Sequence, residues 1–532
     1  MFAPLGPNVE GIVLQQGFEK RLAAATASGA DALYGGLKGV EKESLRVGDD
    51  GYLAQTPHPN GLGSALTNRY ITTDFSEALL EFVTPAFTTT WEALRCLCDL
   101  HQYTYGQLDG EMLWSSSMPC RIPSDRDIPL ARYGDSNVGR MKTIYRRGLG
   151  YRYGREMQLI AGVHFNYSLP VDFWPAYRDT VGSDLDIEDF RSDQYLAMIR
   201  NFRRMGWIVL YLFGASPAVC KSFGGPAARL SSLNADTWFE PWATSLRMSD
   251  LGYSNKNQSR INISLNSLDE YVQDLTRAIR TPEPAYDEIG VKTNGAYRQL
   301  NTNLLQIENE YYSPIRPKRV ARSGEQPTAA LRRAGIQYVE VRSLDLNMFD
   351  PSGVNQNTMR FLEVFLIYCL LEDSPRIDDT HLDEIRYNHA ETAKRGRDPA
   401  FRLRRDGQEV PLRSWAGEIL DNVLAVARAI DREDDNYSSA VQTLRERVDD
   451  AGSTLSARIV DELSSTGSSF FEFALDMAQG HRDYFASIEP LRESQASLLA
   501  EEAADSLLRQ REIEAGDDIS LDEYLERYFV AC

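Results

Sequence analysis

The chain has 532 residues, of which 42% are hydrophobic and 25% charged, and its formal net charge is −20. This length exceeds what one hydrophobic core normally serves, which predicts one large domain with an accessory region, and no apolar run approaches the length of a membrane span. Residues 371 to 532 hold 36 acidic and 19 basic side chains, and because a phosphate backbone binds to basic surfaces, this acidity argues against a nucleic-acid partner.

The N-terminal residues lack the features of a signal peptide. Residues 1–21 contain no basic region ahead of a continuous apolar core, so we expect a cytoplasmic protein. The six cysteines, two of them in the C-x-C of Cys96 and Cys98, match neither a disulfide framework nor a zinc site. We therefore interpret them as mostly buried thiols in a reducing compartment.

The first predicted elements in chain order are those of an α+β domain. A helix is predicted over residues 17–35, and short β-branched or aromatic runs between turn residues follow it to about residue 350. Helices predicted over residues 88–108 and 187–214 interrupt these runs. The strands are expected to form a largely antiparallel sheet.

From about residue 355 the pattern changes to long helical periodicity. Four segments show it: MRFLEVFLIYCLLE, SWAGEILDNVLAVARAID, SAVQTLRERV and LDEYLERYFV. The sequence therefore predicts an α+β domain over residues 1–350 and a mainly helical, acidic region over residues 351–532. The apolar stripes of these helices are expected to pack against the sheet domain.

Several short segments alternate polar and apolar residues with the period of two that is typical of a strand. One face is predicted to hold Glu41 and Glu43 in GVEKESLRV, and another His164 and Asn166 in GVHFNYSLP. Similar faces are predicted for Gln306, Glu308 and Glu310, for Glu340 and Arg342, and for Glu81 between Leu80 and Phe82. For any single segment, one solvated face of an antiparallel sheet is the simpler explanation.

Taken together, these polar faces favour a divalent-cation site. They hold Glu, His, Asn and Gln rather than the Thr, Lys and Arg of an ordinary solvated face, and clustered carboxylates repel one another unless a cation lies between them. Magnesium or manganese suits such oxygen and nitrogen ligands. His164 alone could equally be a core histidine.

The sequence contains no familiar phosphate-binding loop. It has no G-x-x-x-x-G-K-[ST] motif, and GLGYRYG at residues 148–154 has the wrong spacing for G-x-G-x-x-G. The phosphates of a nucleotide would therefore be held mainly by metal ions. Arg316, Lys318 and Arg319 in SPIRPKRVARSG are candidate cations for that role, to which we add Arg146. A basic turn at the surface explains the first three equally well.

Seven long stretches of the chain occur in an order that is specific to one enzyme family. They are GVEKESLRV, GSALTNRYITTDFSEALLEFVTP, ARYGDSNVGRMKTIYRRGL, YLFGASPAVC, ATSLRMSDLGYSNK, LQIENEYYSPIRPKRVARSGE and YVEVRSLDLNMF. On these stretches the chain resembles the proteobacterial type of glutamate-cysteine ligase, whereas the first 30 residues and the region beyond about residue 375 match only loosely. Residue roles are therefore carried over only as far as about residue 345. The resemblance implies a catalytic domain similar to that of glutamine synthetase, whose curved antiparallel sheet forms a funnel with metals, ATP and glutamate on its concave face.

The resemblance also implies roles for individual residues. Those implied as ligands of divalent ions are Glu41, Glu43, Asp74, Glu81, His164 and Glu340. Those implied to hold glutamate or its phosphorylated form are Gln158, Asn166 and Arg342. We assign catalysis to Glu340 and Arg342, because the guanidinium of Arg342 has a fixed charge suited to a transferring phosphoryl group. Those implied to form the cysteine pocket are Phe75, Tyr145, Leu149, Ile160, Arg247, Tyr253 and Tyr312.

The implied activity is the ATP-dependent joining of the γ-carboxyl of glutamate to the amine of cysteine, with Mg²⁺ or Mn²⁺ as cofactor. An acyl phosphate would form first, and the cysteine amine would then displace phosphate, as the first step of glutathione synthesis. The expected partners are these small molecules, and we expect binding to neither nucleic acid nor membrane. The oligomeric state is left open, with a monomer as one possibility. Two alternatives stay open as well: a related ligase with another acceptor amine, and a non-catalytic metal- or nucleotide-binding protein.

Overall fold

The computed structural model describes residues 16–27, 32–119, 121–122, 124–251, 261–322, 324–433 and 436–530. Within these ranges, no helix is long and apolar enough to cross a membrane. The described elements are helices and antiparallel strands, so the α+β class predicted from the sequence is confirmed.

The strands position the polar residues. They are β1 (Leu37–Gly48), β2 (Ile71–Thr73), β3 (Leu79–Val83), β4 (Glu111–Leu113), β5 (Val163–Ser168), β6 (Ala218–Cys220), β7 (Ser231–Ser232), β8 (Thr237–Phe239), β9 (Lys292–Thr293), β10 (Ala296–Tyr297), β11 (Ile315–Lys318), β12 (Tyr338–Leu344), β13 (Arg402–Arg405) and β14 (Gln408–Pro411).

The described residues also form helices. They are α1 (Gln16–Thr26), α2 (Thr90–Tyr105), α3 (Asn137–Tyr153), α4 (Phe173–Val181), α5 (Ile187–Met205), α6 (Trp207–Phe213), α7 (Leu268–Ala278), α8 (Pro284–Asp287), α9 (Pro327–Ala334), α10 (Gln356–Leu371), α11 (Asp379–Arg395), α12 (Leu412–Ile430), α13 (Tyr437–Asp449), α14 (Leu455–Thr466), α15 (Phe470–Ser487), α16 (Glu493–Gly516) and α17 (Leu521–Val530).

A seven-stranded sheet forms the centre of the fold. Its strand order is β11-β12-β5-β1-β3-β2, and β4 pairs with the far end of β1. Every pairing in it is antiparallel, as the sequence predicts. The strand β1 lies between β5 and β3 and is the longest of the described strands, so its side chains occupy the middle of both sheet faces.

Two predicted helices differ from the observed ones, the first in where it ends and the second by an internal break. The helix predicted over residues 17–35 ends at Thr26, and Gly35 adopts a φ of +89°, a turn conformation that suits glycine. The helix predicted over 187–214 is two helices, because a break occurs at Gly206 between α5 and α6. A Cβ atom at Gly206 would lie 2.5 Å from the carbonyl oxygen of Phe202, so the close approach requires glycine.

The strand predicted for residues 306–310 is wrong. Glu308–Glu310 form one turn of 3-10 helix, and the three polar side chains make structural contacts. The backbone N–H of Gln306 donates to Glu310 Oε2 at 2.7 Å, and its side-chain amide donates to the carbonyl of Tyr145 at 3.2 Å. Glu308 Oε1 accepts a hydrogen bond of 2.7 Å from Thr328 Oγ1. These bonds satisfy local polar groups in a turn, so the backbone needs no partner strand.

The four helices predicted from the C-terminal periodicity are present as α10, α12, α13 and α17. One hydrophobic cluster contains residues of the sheet, such as Val40 and Phe165, together with residues of α10, α12 and α13, such as Phe365 and Val441. Hydrophobic residues of the C-terminal region therefore share a continuous core with the sheet.

A buried ion pair links β1 to α10. Lys38 Nζ lies 2.8 Å from Glu363 Oε1, and neither side chain has any exposed surface. Glu363 Oε2 also accepts a hydrogen bond of 2.8 Å from the Tyr437 hydroxyl. Lys38 precedes Glu41 by three residues in β1, and alternation places its side chain on the opposite face of the sheet. The pair therefore fixes the strand that carries the polar residues of the other face.

We expect Glu363→Ala to lower the free energy of unfolding by about 3–5 kcal/mol, because it leaves the Lys38 ammonium buried without its carboxylate. Urea unfolding of the purified variant measures the change. The matched control is the double variant Lys38→Met with Glu363→Leu, which removes both charges and should lose less stability. An equal or larger loss in the double variant would contradict this account.

Candidate active site

The strand pairings bring polar residues of distant segments onto one face of the sheet. Glu41 of β1 lies opposite His164 of β5, and Glu43 lies opposite Glu81 of β3. On the other side of β5, Asn166 lies opposite Glu340 of β12. Directly opposed residues of antiparallel strands have neighbouring side chains. The register therefore gathers these residues into one group.

Glu41, His164 and Glu340 offer ligand atoms that all lie within 4.8 Å of one another. His164 Nδ1 lies 3.0 Å from Glu41 Oε2 and 3.9 Å from Glu340 Oε1. His164 and Glu340 are buried, while Glu41 is half-buried. Two carboxylates and an imidazole at this spacing suit a divalent cation.

A second group of carboxylates adjoins this triad. Glu43 Oε1 lies 3.9 Å from His164 Nε2, and Glu43 Oε2 accepts a hydrogen bond of 2.7 Å from the backbone N–H of Gly162. Burial, together with the negative charges of Glu41, Asp74 and Glu43, raises the pKa of Glu81 well above its ordinary value. The charged form of this carboxyl is destabilised by its neighbours, and a bound cation would relieve that repulsion.

Basic side chains meet the carboxylate of Glu340 from two strands. Lys318 Nζ lies 3.3 Å from Glu340 Oε1, and an Nη of Arg342 lies 3.3 Å from Glu340 Oε2. Burial alone would raise the pKa of Glu340, but the positive charges of Lys318, Arg342 and His164 hold it well below its ordinary value. The carboxyl of Glu340 is therefore ionised at neutral pH.

Three buried polar atoms on this face have no hydrogen-bond partner among the described residues. They are Asn166 Oδ1, Arg342 Nε and Arg316 Nε. The amide nitrogen of Asn166 is used, since it donates to Glu41 Oε1 at 2.9 Å. A buried donor or acceptor left unpaired costs about 1–3 kcal/mol. An anionic or polar ligand bound on this face could pair with them.

The helix α3 contributes a further cation beside the carboxylates. It begins after Ser136, whose hydroxyl accepts a hydrogen bond of 3.2 Å from the N–H of Gly139. An Nη of Arg146 lies 3.1 Å from Asp74 Oδ1, and its Nε donates to the carbonyl of Asp74. Asp74 follows β2, so this ion pair joins α3 to the edge of the sheet.

The predicted cysteine-pocket residues differ in their exposure. Phe75 and Ile160 are buried in the core, whereas Tyr145 and Leu149 of α3 are half-buried, and so is Gln158 in the 3-10 turn Glu156–Leu159. An added Cβ at Gly150 of α3 would lie 3.5 Å from the Phe75 ring, which indicates how closely the two segments approach. Tyr253 lies outside the described residues.

Arg247 is buried beside the polar face. It lies in the 3-10 turn Leu246–Met248, is 1% exposed, and donates from Nη2 to the carbonyl of Arg342 at 3.0 Å. An added Cβ at Gly162 would lie only 2.0 Å from Nη2 of Arg247. Gly162 therefore allows the guanidinium to lie next to the backbone that also binds Glu43.

Arg319 does not join the group that the other predicted cations form. Its Nε donates to the carbonyl of Gly335, at the turn between α9 and β12. Alternation along β11 explains the difference, because Arg316 and Lys318 point to one face of the sheet.

Sequence reasoning missed three residues that shape this site. Gly162 binds Glu43 through its N–H, Asp345 Oδ1 lies 3.7 Å from Arg247 Nη1, and the Met248 sulfur accepts a hydrogen bond from the same Arg247 nitrogen at 3.1 Å. Asp345 could have been noticed, since its carboxylate follows directly on β12. Methionine and glycine carry no comparable chemical signal in a sequence.

We expect Glu41→Gln to weaken Mn²⁺ binding about 10- to 100-fold, because it removes one charge from the triad with His164 and Glu340. Titration calorimetry with MnCl₂ alone measures the affinity. Glu501→Gln, a substitution at an exposed position of α16, is the matched control and should bind as the parent chain does. Equal affinities for both variants would argue against a cation at the triad.

Comparisons with known proteins point to one family. The family model of glutamate-cysteine ligase matches residues 22–392. A glutamate-cysteine ligase of Alcanivorax borkumensis is 48% identical over 520 residues, which cover 96% of this chain and 99% of that protein. The similarity thus also covers the region beyond about residue 375, where the resemblance found in the sequence is only loose.

Solved structures agree with this result. The crystal structure of a glutamate-cysteine ligase from Francisella tularensis in complex with AMP has a TM-score of 0.88 and 37% identity, and the match covers 94% of this chain and 99% of that one. A bifunctional glutathione synthetase from Pasteurella multocida has a TM-score of 0.71 and 25% identity, over 91% of this chain and 57% of that one.

Proposed function

The chain belongs to the glutamate-cysteine ligase family, and we propose that the polar sheet face around Glu41, His164 and Glu340 is its active site. Its activity is the ATP-dependent formation of γ-glutamylcysteine from glutamate and cysteine, a step of glutathione biosynthesis. The observation that carries the site assignment is the meeting of two carboxylates and a histidine within 4.8 Å, next to buried polar atoms that lack partners.

Glu41, His164 and Glu340 are proposed to hold one Mg²⁺ or Mn²⁺ ion, and Glu43, Asp74 and Glu81 to provide further ligands. The donor set fits, because carboxylate oxygens and one imidazole are ligands that these ions accept. Burial, followed by the neighbouring carboxylates, raises the pKa of Glu81, and a cation beside it would favour its charged form. A bound ion supplies positive charge to the phosphates of ATP.

The cations around Glu340 are proposed to hold the phosphates. Arg342 is the principal candidate, since its fixed charge lies 3.3 Å from Glu340 Oε2 and its Nε lacks a partner among the described residues. Further candidates are Lys318 and Arg316 of β11, at one edge of the sheet, and Arg146 of α3, beside the opposite edge. Arg319 is left out of this set because it binds the carbonyl of Gly335.

Glutamate is proposed to lie beside Asn166 and Gln158, with its γ-carboxylate toward Arg342. An oxygen of this carboxylate attacks the γ-phosphorus of ATP, the bond from phosphorus to the ADP oxygen breaks, and γ-glutamyl phosphate forms. The amine of cysteine then attacks the acyl carbon, and phosphate leaves. No side chain acts as a nucleophile, so positioning and electrostatic stabilisation supply the rate enhancement.

The acceptor, cysteine, is proposed to bind at Arg247 and Tyr312, with Phe75, Tyr145, Leu149 and Ile160 around it. The guanidinium of Arg247 would pair with the carboxylate of cysteine. Nη2 of Arg247 donates to the carbonyl of Arg342, so the pocket would adjoin the residue that faces the phosphates. In this proposal the two substrates lie next to each other.

Three wider features complete the proposal. The sheet is proposed to curve into a funnel like that of glutamine synthetase. Residues 1–350 are proposed to form the catalytic unit and residues 351–532 an accessory unit packed on it. The protein is proposed to act as a monomer in the cytoplasm.

The direct experiment measures ADP release by the purified protein with MgATP and glutamate, with and without cysteine. We expect cysteine-dependent ADP release and a γ-glutamylcysteine product, and we expect Glu340→Gln to lose activity at least about 100-fold, since it removes a ligand charge. The exposed control Glu501→Gln should retain full activity. If ADP release responds to 2-aminobutyrate, alanine or putrescine but not to cysteine, the acceptor is that amine instead of cysteine. A complete absence of ADP release would contradict the proposed activity.

We expect Gly162→Ala to raise the KM for cysteine about tenfold or more, because the added methyl group would lie 2.0 Å from Arg247 Nη2 and displace the guanidinium. Steady-state kinetics with each substrate varied in turn measures the effect. Gly480→Ala is the control, because an added Cβ meets no atom within 4 Å there. An unchanged KM for cysteine would mean that the position of Arg247 does not govern acceptor binding.

A further inference from the structure

The sulfur atom of Met248 lies between two residues of the proposed acceptor pocket. It accepts a hydrogen bond from Arg247 Nη1 at 3.1 Å and another from the Tyr312 hydroxyl at 3.0 Å. Met248 itself is buried, with 5% of its surface exposed. One thioether therefore joins the guanidinium and the phenol.

A thioether is a weak acceptor, but the loss of an acceptor from a buried donor is costly. Arg247 is permanently charged, and burial raises the pKa of Tyr312, so its hydroxyl keeps its proton and donates. Leucine has nearly the volume of methionine and cannot accept either bond. The sulfur thus provides a contact that the side-chain volume of Met248 alone does not.

The backbone holds Met248 at this place. The Met248 N–H donates to the carbonyl of Ser245 at 3.1 Å and lies 3.3 Å from the Ser245 hydroxyl oxygen. The Ser245 hydroxyl also donates to Asp345 Oδ1 at 2.9 Å. The turn that carries Met248 is therefore anchored to the end of β12.

Arg247 is held on its other sides as well. Nη2 donates to the carbonyl of Arg342, and Nη1 lies 3.7 Å from Asp345 Oδ1. The Asp345 carboxylate itself accepts hydrogen bonds from the Ala215 N–H at 2.8 Å and the Ser216 hydroxyl at 2.7 Å. Asp345 and the carbonyl thus place Arg247 relative to the sheet, whereas Met248 places it relative to Tyr312.

We propose that Met248 is a positioning residue of the acceptor pocket, which sets the affinity for the acceptor amino acid by holding Arg247 and Tyr312 in one geometry. This inference rests on the proposed function, because it takes Arg247 and Tyr312 as the residues that bind cysteine. Met248 acts through these two side chains and takes no part in the transfer of the phosphoryl group. The effect should therefore appear in acceptor binding alone.

The first test is Met248→Leu. We expect the KM for cysteine to rise about fivefold, from the loss of two weak hydrogen bonds to buried donors. The value of kcat at saturating cysteine and the KM values for glutamate and ATP should stay within about twofold. Met359→Leu, at a fully buried methionine of α10, is the matched control and should change none of these constants. An unchanged KM for cysteine, or an equal rise in all three KM values, would overturn the inference.

The second test is a double-mutant cycle with Tyr312→Phe, which removes the hydroxyl-to-sulfur bond from the other side. If Met248 acts through Tyr312, the fold-increase in the KM for cysteine in the double variant should be smaller than the product of the fold-increases in the two single variants. Multiplicative effects would overturn the coupling. Should Met248→Leu not fold, an unchanged KM for cysteine in Tyr312→Phe would overturn it by itself. The proposed function fails separately, and this inference with it, if the parent chain shows no cysteine-dependent ADP release.

Discussion

Repulsion among carboxylates on one face of the sheet is the constraint that determines which charged residues the rest of the site needs. Glu43 and Glu340 are buried and Glu41 and Glu81 half-buried, so little water screens them from one another. Around Glu340, Lys318 and Arg342 compensate the charge and keep the carboxyl ionised. Around Glu81, burial and like charges raise the pKa instead. Added positive charge beside Glu81 would relieve this repulsion, which agrees with the cation-assisted reaction proposed for the site.

The opposite face of the same strand explains how such a site can be tolerated. Alternation along β1 places Glu41 and Glu43 on one face and Lys38 on the other, where it forms a fully buried ion pair with Glu363 of α10. The helical layer behind the sheet, rather than the polar face, thus supplies the packing that holds β1. One face of β1 therefore packs against the helices and stabilises the fold, while the other face carries the polar residues. The polar face can keep mutually repelling carboxylates because it does not have to stabilise the strand.

A period of two found the strands that carry the proposed ligands, but it could not distinguish every strand from a turn. It identified Glu41, Glu81, His164 and Glu340 on strands that the structure confirms. It failed for Gln306, Glu308 and Glu310, which alternate in the same way. Glu308 and Glu310 instead lie in a 3-10 turn, and the Gln306 amide donates to a carbonyl of α3. Alternation describes side-chain direction only if a partner strand exists, and for this segment hydrogen bonds from nearby side chains take that place.

The sequence by itself determined the α+β class, the acidic helical C-terminal region and the residue types that suit a divalent cation, because periodicity and chemical type are local properties of a chain. Its ordered motifs also carried the resemblance to the family that the comparisons confirm. Only the tertiary structure decided that Lys318 and Arg316 join Glu340 while Arg319 binds Gly335, and that Met248 joins Arg247 to Tyr312. These contacts depend on strand register and on the close approach of segments far apart in the chain. Both arise from hydrogen bonds and packing between distant residues, which no local pattern records.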